Sequence, residues 1–576
     1  MTRPLELRPF DHDSLFAARV DALLRSNEPP EESDIQKTQK LISDYRHHLD
    51  ELDDELRGLN DRLPVLEDLH AEFPDGQLGH QISGLKERCA LLEADRATSI
   101  ARSSELNYPA ILSPLRRMPP EILREIMRWT VPTAVTEVFP GGVGLRQSPW
   151  NIACVSQRWR AVALSMPSLW SLILWNYNRY NLPIQAIKIQ VQRANMLRVN
   201  WHGNVHPSEF DETKTSTAVQ TLEYLIEHSP RWEESMLQLL TAEMVHLLPA
   251  LRDRIPSLRM LVITWADGES EEKTRSLDCF ETASSLVRLV LHRRYHPLST
   301  PFVFPGNQLT QYQGVSADWA TQRAILSASP SLIQASIHIS VATPQHWGEP
   351  IRLGRLLRLS VSDIRVLSYL SAPVLEHIVI RFRHSSNWFE MGGTLDRFLT
   401  SHSSTIRTVV LESICDAKLA GEILQRVPNV KNLVLIGSCN NHSHLRPTIS
   451  DELVALLSHF TGVDSERRPT LICPRLSRFV LVFKSGYPFS VDYQIICQAL
   501  ETRLRLVAQT NASPLQAVMV AFESSSPRTV QQPNSKALCR LKKLGSQGLK
   551  FLYVEGASAR CRVEAWTCRP RWHVGN

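Results

Sequence analysis

Apolar side chains near the start of the chain recur at alternating steps of three and four residues. This spacing places one apolar stripe along a helix whose other faces are charged, as in a coiled coil. The helix is expected to kink or end at Pro64, because proline lacks the backbone N–H that an interior helical position donates. The stripe consists of Ile42, Tyr45, Leu49, Leu52, Leu56, Leu59, Leu63 and Leu66.

A second apolar stripe follows a turn predicted at Phe73-Pro74-Asp75-Gly76. We assign residues 33–104 to a helical hairpin or coiled coil, preceded by a flexible N-terminus over residues 1–32. An antiparallel hairpin is favoured because the second stripe otherwise lacks a partner, while a parallel homodimer through the first helix stays open. The second stripe consists of Leu78, Ile82, Leu85, Cys89 and Leu92.

Two short amphipathic helices are predicted after a linker over residues 105–114. The first begins at Pro119 and Pro120, since proline is favoured in the first turn of a helix. The second covers residues 151–166 and ends before a proline. Two such helices are too small to bury all their apolar surface, so part of it is expected to contact another protein. The apolar positions are Ile122, Leu123, Ile126 and Met127 in the first helix and Val155, Trp159, Val162 and Met166 in the second.

The segment 115–170 resembles an F-box domain, a three-helix fold. Met118, Met127 and Ser156 stand where that family usually has Leu, Phe and Cys. Residues 132–147 look like an inserted loop, and no Lys-Ser or Lys-Thr follows its glycines as a phosphate-binding loop requires. The resemblance rests on Met118-Pro119-Pro120-Glu121-Ile122-Leu123, Cys154-Val155-Ser156-Gln157-Arg158-Trp159-Arg160 and Pro167-Ser168-Leu169-Trp170.

F-box domains bind the Skp-type adaptor of cullin-RING ubiquitin ligases, so the resemblance implies that this chain is a substrate receptor. The alternative is that the same residues only close a small helical core. The residues implied to supply or support the adaptor-facing surface are Pro119, Ile122, Leu123, Ile126, Val155 and Trp159.

Beyond residue 168, a triplet of apolar residues at positions i, i+3 and i+5 recurs twelve times, with a poorer copy at Trp232. Each unit is expected to be a helix followed by a short strand, and stacked units would form a solenoid with parallel strands on a concave face. Residues 171–556 therefore resemble degenerate leucine-rich repeats, as in a fungal-type F-box protein, although the spacing of about 35 residues exceeds the usual period. The copies begin at Leu169, Met196, Leu258, Leu286, Leu332, Leu356, Leu375, Ile406, Val430, Leu476, Leu515 and Leu549.

Positions i+4 and i+6 of each unit would face the concave surface. Valines dominate i+4, which strand propensity explains without a hydrophobic groove. Position i+6 is polar in the central units and apolar in the late units, at Ile436, Val482 and Ala521. We predict that the polar positions bind a client protein, the alternative being independent solvated side chains. These candidates are Thr264, His292, His338, Arg381 and Glu412.

Composition excludes several other classes. The chain has 64 Lys plus Arg against 59 Asp plus Glu in 576 residues, a net charge of +5 that is too weak to indicate nucleic-acid binding. Its ten cysteines include no CxxC pair, which favours reduced thiols and a cytoplasmic or nuclear protein. The apolar runs are too short to span a membrane, no secretory signal is evident, and residues 557–576 form a basic tail.

No motif of a known catalytic mechanism occurs, so we expect a non-catalytic protein without cofactor or metal. Cys439, His442 and His444 are close in sequence, but a fourth zinc ligand is missing. The sequence thus predicts an α+β multidomain protein that acts as the substrate-recognition subunit of an SCF-type ubiquitin ligase. The alternative is an F-box-like interaction scaffold that assembles through the coiled coil outside a ligase. An enzyme on the solenoid is a third class, for which no residues can be named.

Overall fold

The computed structural model divides into two compact units, one mainly of residues 1–132 and 143–171 and the other mainly of residues 195–576. The residues that it describes are 14–26, 28–73, 76–105, 108–132, 148–177, 183–203, 212–240, 246–265, 278–293, 303–315, 319–339, 348–382, 388–412, 417–437, 460–463, 469–483, 493–510, 512–522, 533–556, 559 and 562–563.

The described part of the first unit is helical. Its longest helix, α2, starts with a capping box in which the backbone N–H of Glu31 donates to Asp34 Oδ2 at 3.0 Å. The helix continues through Pro64, so a helix end at that proline is wrong. The helices are α1 Ser14–Ser26, α2 Glu32–Glu72, α3 Gly76–Glu105, α4 Tyr108–Ile111, α5 Pro114–Arg117, α6 Pro120–Trp129, α7 Trp150–Ala153 and α8 Gln157–Leu164, followed by a 3₁₀ turn over Pro167–Trp170.

Helices α2 and α3 pack as an antiparallel hairpin. Leu52 and Leu56 of α2 are buried in one cluster with Leu92 of α3. Three ion pairs join the same helices, with N···O distances of 2.5 Å for Arg96–Asp53, 3.0 Å for Arg88–Glu55 and 2.7 Å for Lys86–Glu67. The last pair lies beyond Pro64, where packing against α3 supports the helix despite the hydrogen bond that proline removes.

Two helices, α1 and α4, lie where the sequence predicts a flexible N-terminus and a linker. Helix α1 lies within the segment expected to be flexible, and its Leu23 is buried beside Tyr45 of α2 and Ile111 of α4. The guanidinium of buried Arg116 donates to the carbonyl oxygen of Leu23 at 2.7 Å. The linker residue Ile111 and Arg116 therefore join the N-terminal helix to the segment that follows. Apolar residues at 16, 20 and 23 are too few to distinguish a packed helix from a tail.

The second unit is built on a fourteen-stranded sheet in which all neighbouring strands are parallel. This confirms the predicted parallel α/β architecture. The strands follow one another in chain order, and two small two-stranded sheets, β8/β10 and β14/β15, lie apart from it. The strands are β1 Leu172–Asn176, β2 Leu197–His202, β3 Trp232–Leu240, β4 Met260–Trp265, β5 Arg288–Arg293, β6 Gln311–Val315, β7 Gln334–His338, β8 Ile351–Arg352, β9 Arg358–Val361, β10 Leu370–Ser371, β11 His377–Arg381, β12 Thr408–Glu412, β13 Asn432–Gly437, β14 Phe460–Val463, β15 Pro469–Leu471, β16 Arg478–Phe483, β17 Ala517–Phe522 and β18 Lys550–Glu555.

Helices of the second unit occur in the connections between these strands. They are α9 Ile184–Arg193, which ends in the first unit, α10 Glu212–Glu227, α11 Trp319–Ala328, α12 Trp388–His402, α13 Ala417–Arg426, α14 Tyr493–Ala508 and α15 Ser535–Ser546. None of the helices among the described residues combines the length and the apolar character needed to cross a membrane.

Each of the twelve predicted triplets coincides with a strand of the large sheet, and the poorer copy at Trp232 is β3. One further strand, β6, was missed because its Leu309, Tyr312 and Gly314 depart from the apolar triplet. Fourteen strands reduce the mean spacing to about 29 residues, at the edge of the usual repeat period. We name the face that carries positions i+3 and i+5 the first face, and the opposite one the second face.

The first and last triplets are out of register by one residue. In β1, Ile173 pairs with Val199, so Ile173 rather than Leu172 belongs to the first face. In β18, Phe551 pairs with Val518, and Leu552 lies on the second face. Side chains alternate between the two faces, and a local pattern with apolar residues on both faces is compatible with either register.

Candidate functional site

Helix α6 carries two neighbouring apolar stripes. Leu123 and Met127 are fully buried. Ile122, Ile126 and Trp129, spaced at steps of four and three residues along the same side of the helix, are 50%, 39% and 81% exposed. We name these three side chains the exposed stripe. A helix that uses one stripe for its own core and leaves the adjacent one in water is suited to bind a second protein.

The start of α6 is held by Arg158 from helix α8. Its guanidinium donates to the carbonyl oxygen of Met118 at 2.6 Å and to that of Arg116. The two prolines that begin α6 have no backbone N–H to satisfy, and Pro119 is the N-cap residue. The first turn of α6 is therefore positioned by backbone contacts that do not occupy the exposed stripe.

The predicted single helix over residues 151–166 is two short helices, α7 and α8. Ser156 separates α7 from α8, because its side-chain oxygen accepts the backbone N–H of Trp159 at 3.1 Å and caps α8. This serine stands where the F-box pattern has cysteine. Val155, in the turn between the two helices, is 50% exposed, and Leu164 at the end of α8 is also exposed.

Aromatic packing closes the small core of this segment. The indole N–H of buried Trp170 donates to the carbonyl oxygen of Ala163 at 2.9 Å. Its ring meets the ring of Trp150 edge to face, with centroids 5.2 Å apart. The guanidinium of Arg193 lies 4.4 Å from the Trp170 ring centroid, a cation–π contact.

The predicted adaptor residues divide into exposed and buried ones. Pro119, Ile122, Ile126 and Val155 are exposed and Trp159 is half-buried. Leu123 is fully buried, so it supports the helix from inside and cannot contact a partner directly. Sequence reasoning missed Trp129, although its position three residues after Ile126 continues the stripe from Ile122.

A second group of candidate residues lies on the second face of the sheet. Strand register places the five predicted client-binding residues on one line across the strands, with Val315 of β6 and Ser362 after β9 between them. The line is Thr264 of β4, His292 of β5, His338 of β7, Arg381 of β11 and Glu412 of β12.

Three of these residues form a connected polar chain. His338 Nε2 lies 2.8 Å from Ser336 Oγ and 3.0 Å from Arg381 Nη1. Arg381 Nε lies 2.8 Å from Glu412 Oε2, an ion pair in which the glutamate is almost fully buried. A guanidinium can only donate, so His338 Nε2 accepts and its ring proton resides on Nδ1. Arg381 reaches His338 across β9, where the chain carries small serines.

His338, Arg381 and Glu412 are therefore connected to one another and are not independent solvated side chains. Thr264, His338 and Glu412 are buried, and only Arg381 keeps appreciable exposure among the members of the chain. Because Arg381 holds both neighbours, a change at any member would leave a buried polar group without its partner. Among the five predicted client-binding residues, only His292 and Arg381 therefore keep partial exposure, and the other three lie beneath the surface.

The apolar part of the same face is not available to a partner. Ile436, Val482 and Ala521 lie in a buried cluster together with Ala559 and Val563. These two residues belong to the segment assigned to a basic tail, so part of that segment packs on the sheet. Ala559 and Val563 help to cover the apolar strands, because burying apolar side chains away from water is favourable.

Within the described ranges, no three histidine, cysteine, aspartate or glutamate side chains come together in a way that could hold a metal ion. Cys439, His442 and His444 lie outside the described residues. Comparison with protein-family models and with curated proteins gave no match. The function is therefore argued from the exposed stripe and the polar second face.

Proposed function

We propose that the protein is the substrate-recognition subunit of a cullin-RING ubiquitin ligase of the SCF type. It binds a Skp-type adaptor through residues 115–170 and a client protein through the second face of the sheet. The observation that carries the proposal is the concentration of exposed apolar surface. Six of the sixteen large hydrophobic side chains that are exposed among the described residues lie between positions 115 and 164.

The exposed stripe supports adaptor binding for a physical reason. Trp129 leaves most of its ring in water, and covering such a ring removes on the order of 150 Å² of surface. At about 25 cal/mol per Å², that burial contributes about 4 kcal/mol before the costs of association. A soluble protein that binds nothing there gains no stability from this arrangement. The exposed stripe beside the buried one on α6 therefore favours a partner interface over a purely internal core.

The reaction itself would be carried out by partner subunits. In this proposal, the chain holds a client near the charged ubiquitin-conjugating enzyme and thereby raises the effective concentration of the client's lysines. We place this activity in the cytoplasm or the nucleus. The six cysteines that the structure describes are free thiols, as is usual in those compartments.

The alternative, a scaffold that assembles through the coiled coil, receives less support. The apolar stripe of α2 that would form a parallel dimer is in use within the chain, since Leu52 and Leu56 pack against Leu92 of α3. A dimer through that stripe would first have to open the hairpin and its ion pairs.

Co-purification of the full chain with a Skp-type adaptor tests the proposal. We expect wild type to capture the adaptor and the double variant Ile122→Asp, Ile126→Asp to lose capture. Ile189→Asp is the matched control, because Ile189 is also an isoleucine on a helix with 39% exposure but lies in the second unit. Failure of wild type to capture the adaptor, or equal capture by the double variant, would refute adaptor binding.

A further inference from the structure

A compact set of polar side chains lies on the second face beside the His338–Arg381–Glu412 chain. Gln334, Arg358 and His377 pair in one line across β7, β9 and β11. Gln313 and Ser360 belong to the next line, two residues further along their strands. We name these five residues the polar cluster. Adjacent strands lie about 4.8 Å apart, so one short peptide segment can reach all five residues.

Several atoms of the polar cluster have no hydrogen-bond partner among the described residues. They are Gln313 Oε1, Gln334 Nε2 and Ser360 Oγ, all on side chains more than nine-tenths buried, together with Arg358 Nε and His377 Nδ1. Buried polar atoms without partners are costly, and these five atoms on four neighbouring strands indicate an incomplete set of contacts. Four are donors or can donate, and Gln313 Oε1 is an acceptor.

The charge of the polar cluster is positive. Arg358 forms no ion pair with any acidic residue that the structure describes. Burial and the charge of Arg358 lower the pKa of His377, so that its ring is neutral at pH 7. Of the nearby acids, Glu412 pairs with Arg381, and the half-exposed Glu376 lies at the edge of the cluster, 3.8 Å from His377 Nε2. One guanidinium surrounded by neutral donors matches one negative charge.

We propose that the polar cluster binds a carboxylate of an acidic peptide segment in the client. The carboxylate oxygens accept from Arg358, Gln334 Nε2 and Ser360 Oγ, while Gln313 Oε1 accepts a backbone N–H of the same peptide. A phosphate dianion fits less well, because its second negative charge has no second cationic partner within the cluster. That the peptide belongs to a client of a ubiquitin ligase rests on the proposed function, whereas the chemistry of the site does not.

Selection from a random peptide display library on the immobilised full chain tests this site. We expect Asp or Glu to be enriched about 10- to 100-fold among the selected peptides, as charge-assisted hydrogen bonds in a buried site imply. Arg358→Ala should abolish the enrichment. Arg358→Glu should replace it with enrichment of Lys or Arg, which a misfolded variant would not produce. Arg355→Ala is the matched control, since Arg355 is exposed three residues earlier and should select as wild type does.

Each outcome decides the proposal separately from adaptor binding. Absence of acidic enrichment in wild type, or the same enrichment in Arg358→Ala, would overturn the carboxylate site. A fluorescence-anisotropy titration with a selected peptide then compares its carboxylate form with phosphoserine at the same position, and tighter binding of phosphoserine would also overturn it. Capture of the Skp-type adaptor does not involve these residues, so either result can fail while the other stands.

Discussion

Replacement of Ile122 and Ile126 by alanine should weaken adaptor binding without unfolding helix α6. Full burial of an isoleucine side chain contributes about 1.5–3 kcal/mol. The exposed fractions of 50% and 39% together amount to nearly one side chain that a partner can still cover. Because alanine keeps the Cβ atom, we expect a loss of about 1–2 kcal/mol in binding free energy, which is about a 5- to 30-fold loss in affinity.

Leu123 provides the internal comparison, because it is adjacent in sequence but fully buried. Leu123→Ala should destabilise the helical unit by about 2–5 kcal/mol, through lost burial and the cavity left behind. Amide hydrogen exchange in α6 reports this local stability in the full chain. It should accelerate in Leu123→Ala and stay unchanged in the double alanine variant.

The assay combines calorimetric titration of the adaptor with hydrogen exchange on the same samples. The reasoning is wrong if the double alanine variant binds the adaptor as tightly as wild type does. It is equally wrong if α6 in that variant exchanges as fast as in Leu123→Ala, because the two isoleucines would then belong to the core.

Three other outcomes follow from buried groups elsewhere. Burial raises the pKa of the Cys473 thiol to about 12, so iodoacetamide at pH 8 should modify exposed Cys154 and spare Cys473 in the native protein. Mass spectrometry that shows both cysteines modified would contradict this prediction. The pKa of His377 lies below its ordinary 6.5, so the unfolded chain binds the proton more readily and the free energy of unfolding should fall as the pH drops below 6.5. Urea titrations at neutral and acidic pH should show a smaller fall in His377→Gln; an equal fall would exclude this histidine as a cause. Arg116→Ala removes the donor to the carbonyl oxygen of Leu23 and should cost about 1–3 kcal/mol, whereas exposed Arg117→Ala should cost less than about 0.5 kcal/mol. Similar urea midpoints for the two variants would refute this role of Arg116.

The elements of this fold are largely predictable because their patterns are local. The stripe from Ile42 to Leu66 needs only a repeat of three and four residues, and α2 extends over it. The apolar triplets likewise locate strands, since a strand between two layers requires apolar residues at alternate positions. The triplet pattern missed strand β6, because Gly314 and Tyr312 occupy core positions at which the triplet requires aliphatic residues.

The candidate sites were predictable only in part. The segment 115–170 and its apolar residues were found, but neither the burial of Leu123 nor the exposure of Trp129 can be read from amphipathic spacing. Both stripes of α6 are apolar, and the neighbouring helices determine which one is covered. The polar cluster was missed entirely, because Gln334, Arg358 and His377 are separated by many residues and only strand register aligns them.

By itself, the sequence determined two helices joined by a turn and the places of most strands, because each depends on the periodicity of a short segment. The alternation of helices and strands predicted the parallel order. Only the tertiary structure decided the register of β1 and β18, the covering of the apolar strands by Ala559 and Val563, and the reach of Arg381 across β9 to His338. These features join residues that are distant along the chain. These contacts stabilise the fold when packing removes both partners from water, and no local sequence pattern encodes that packing.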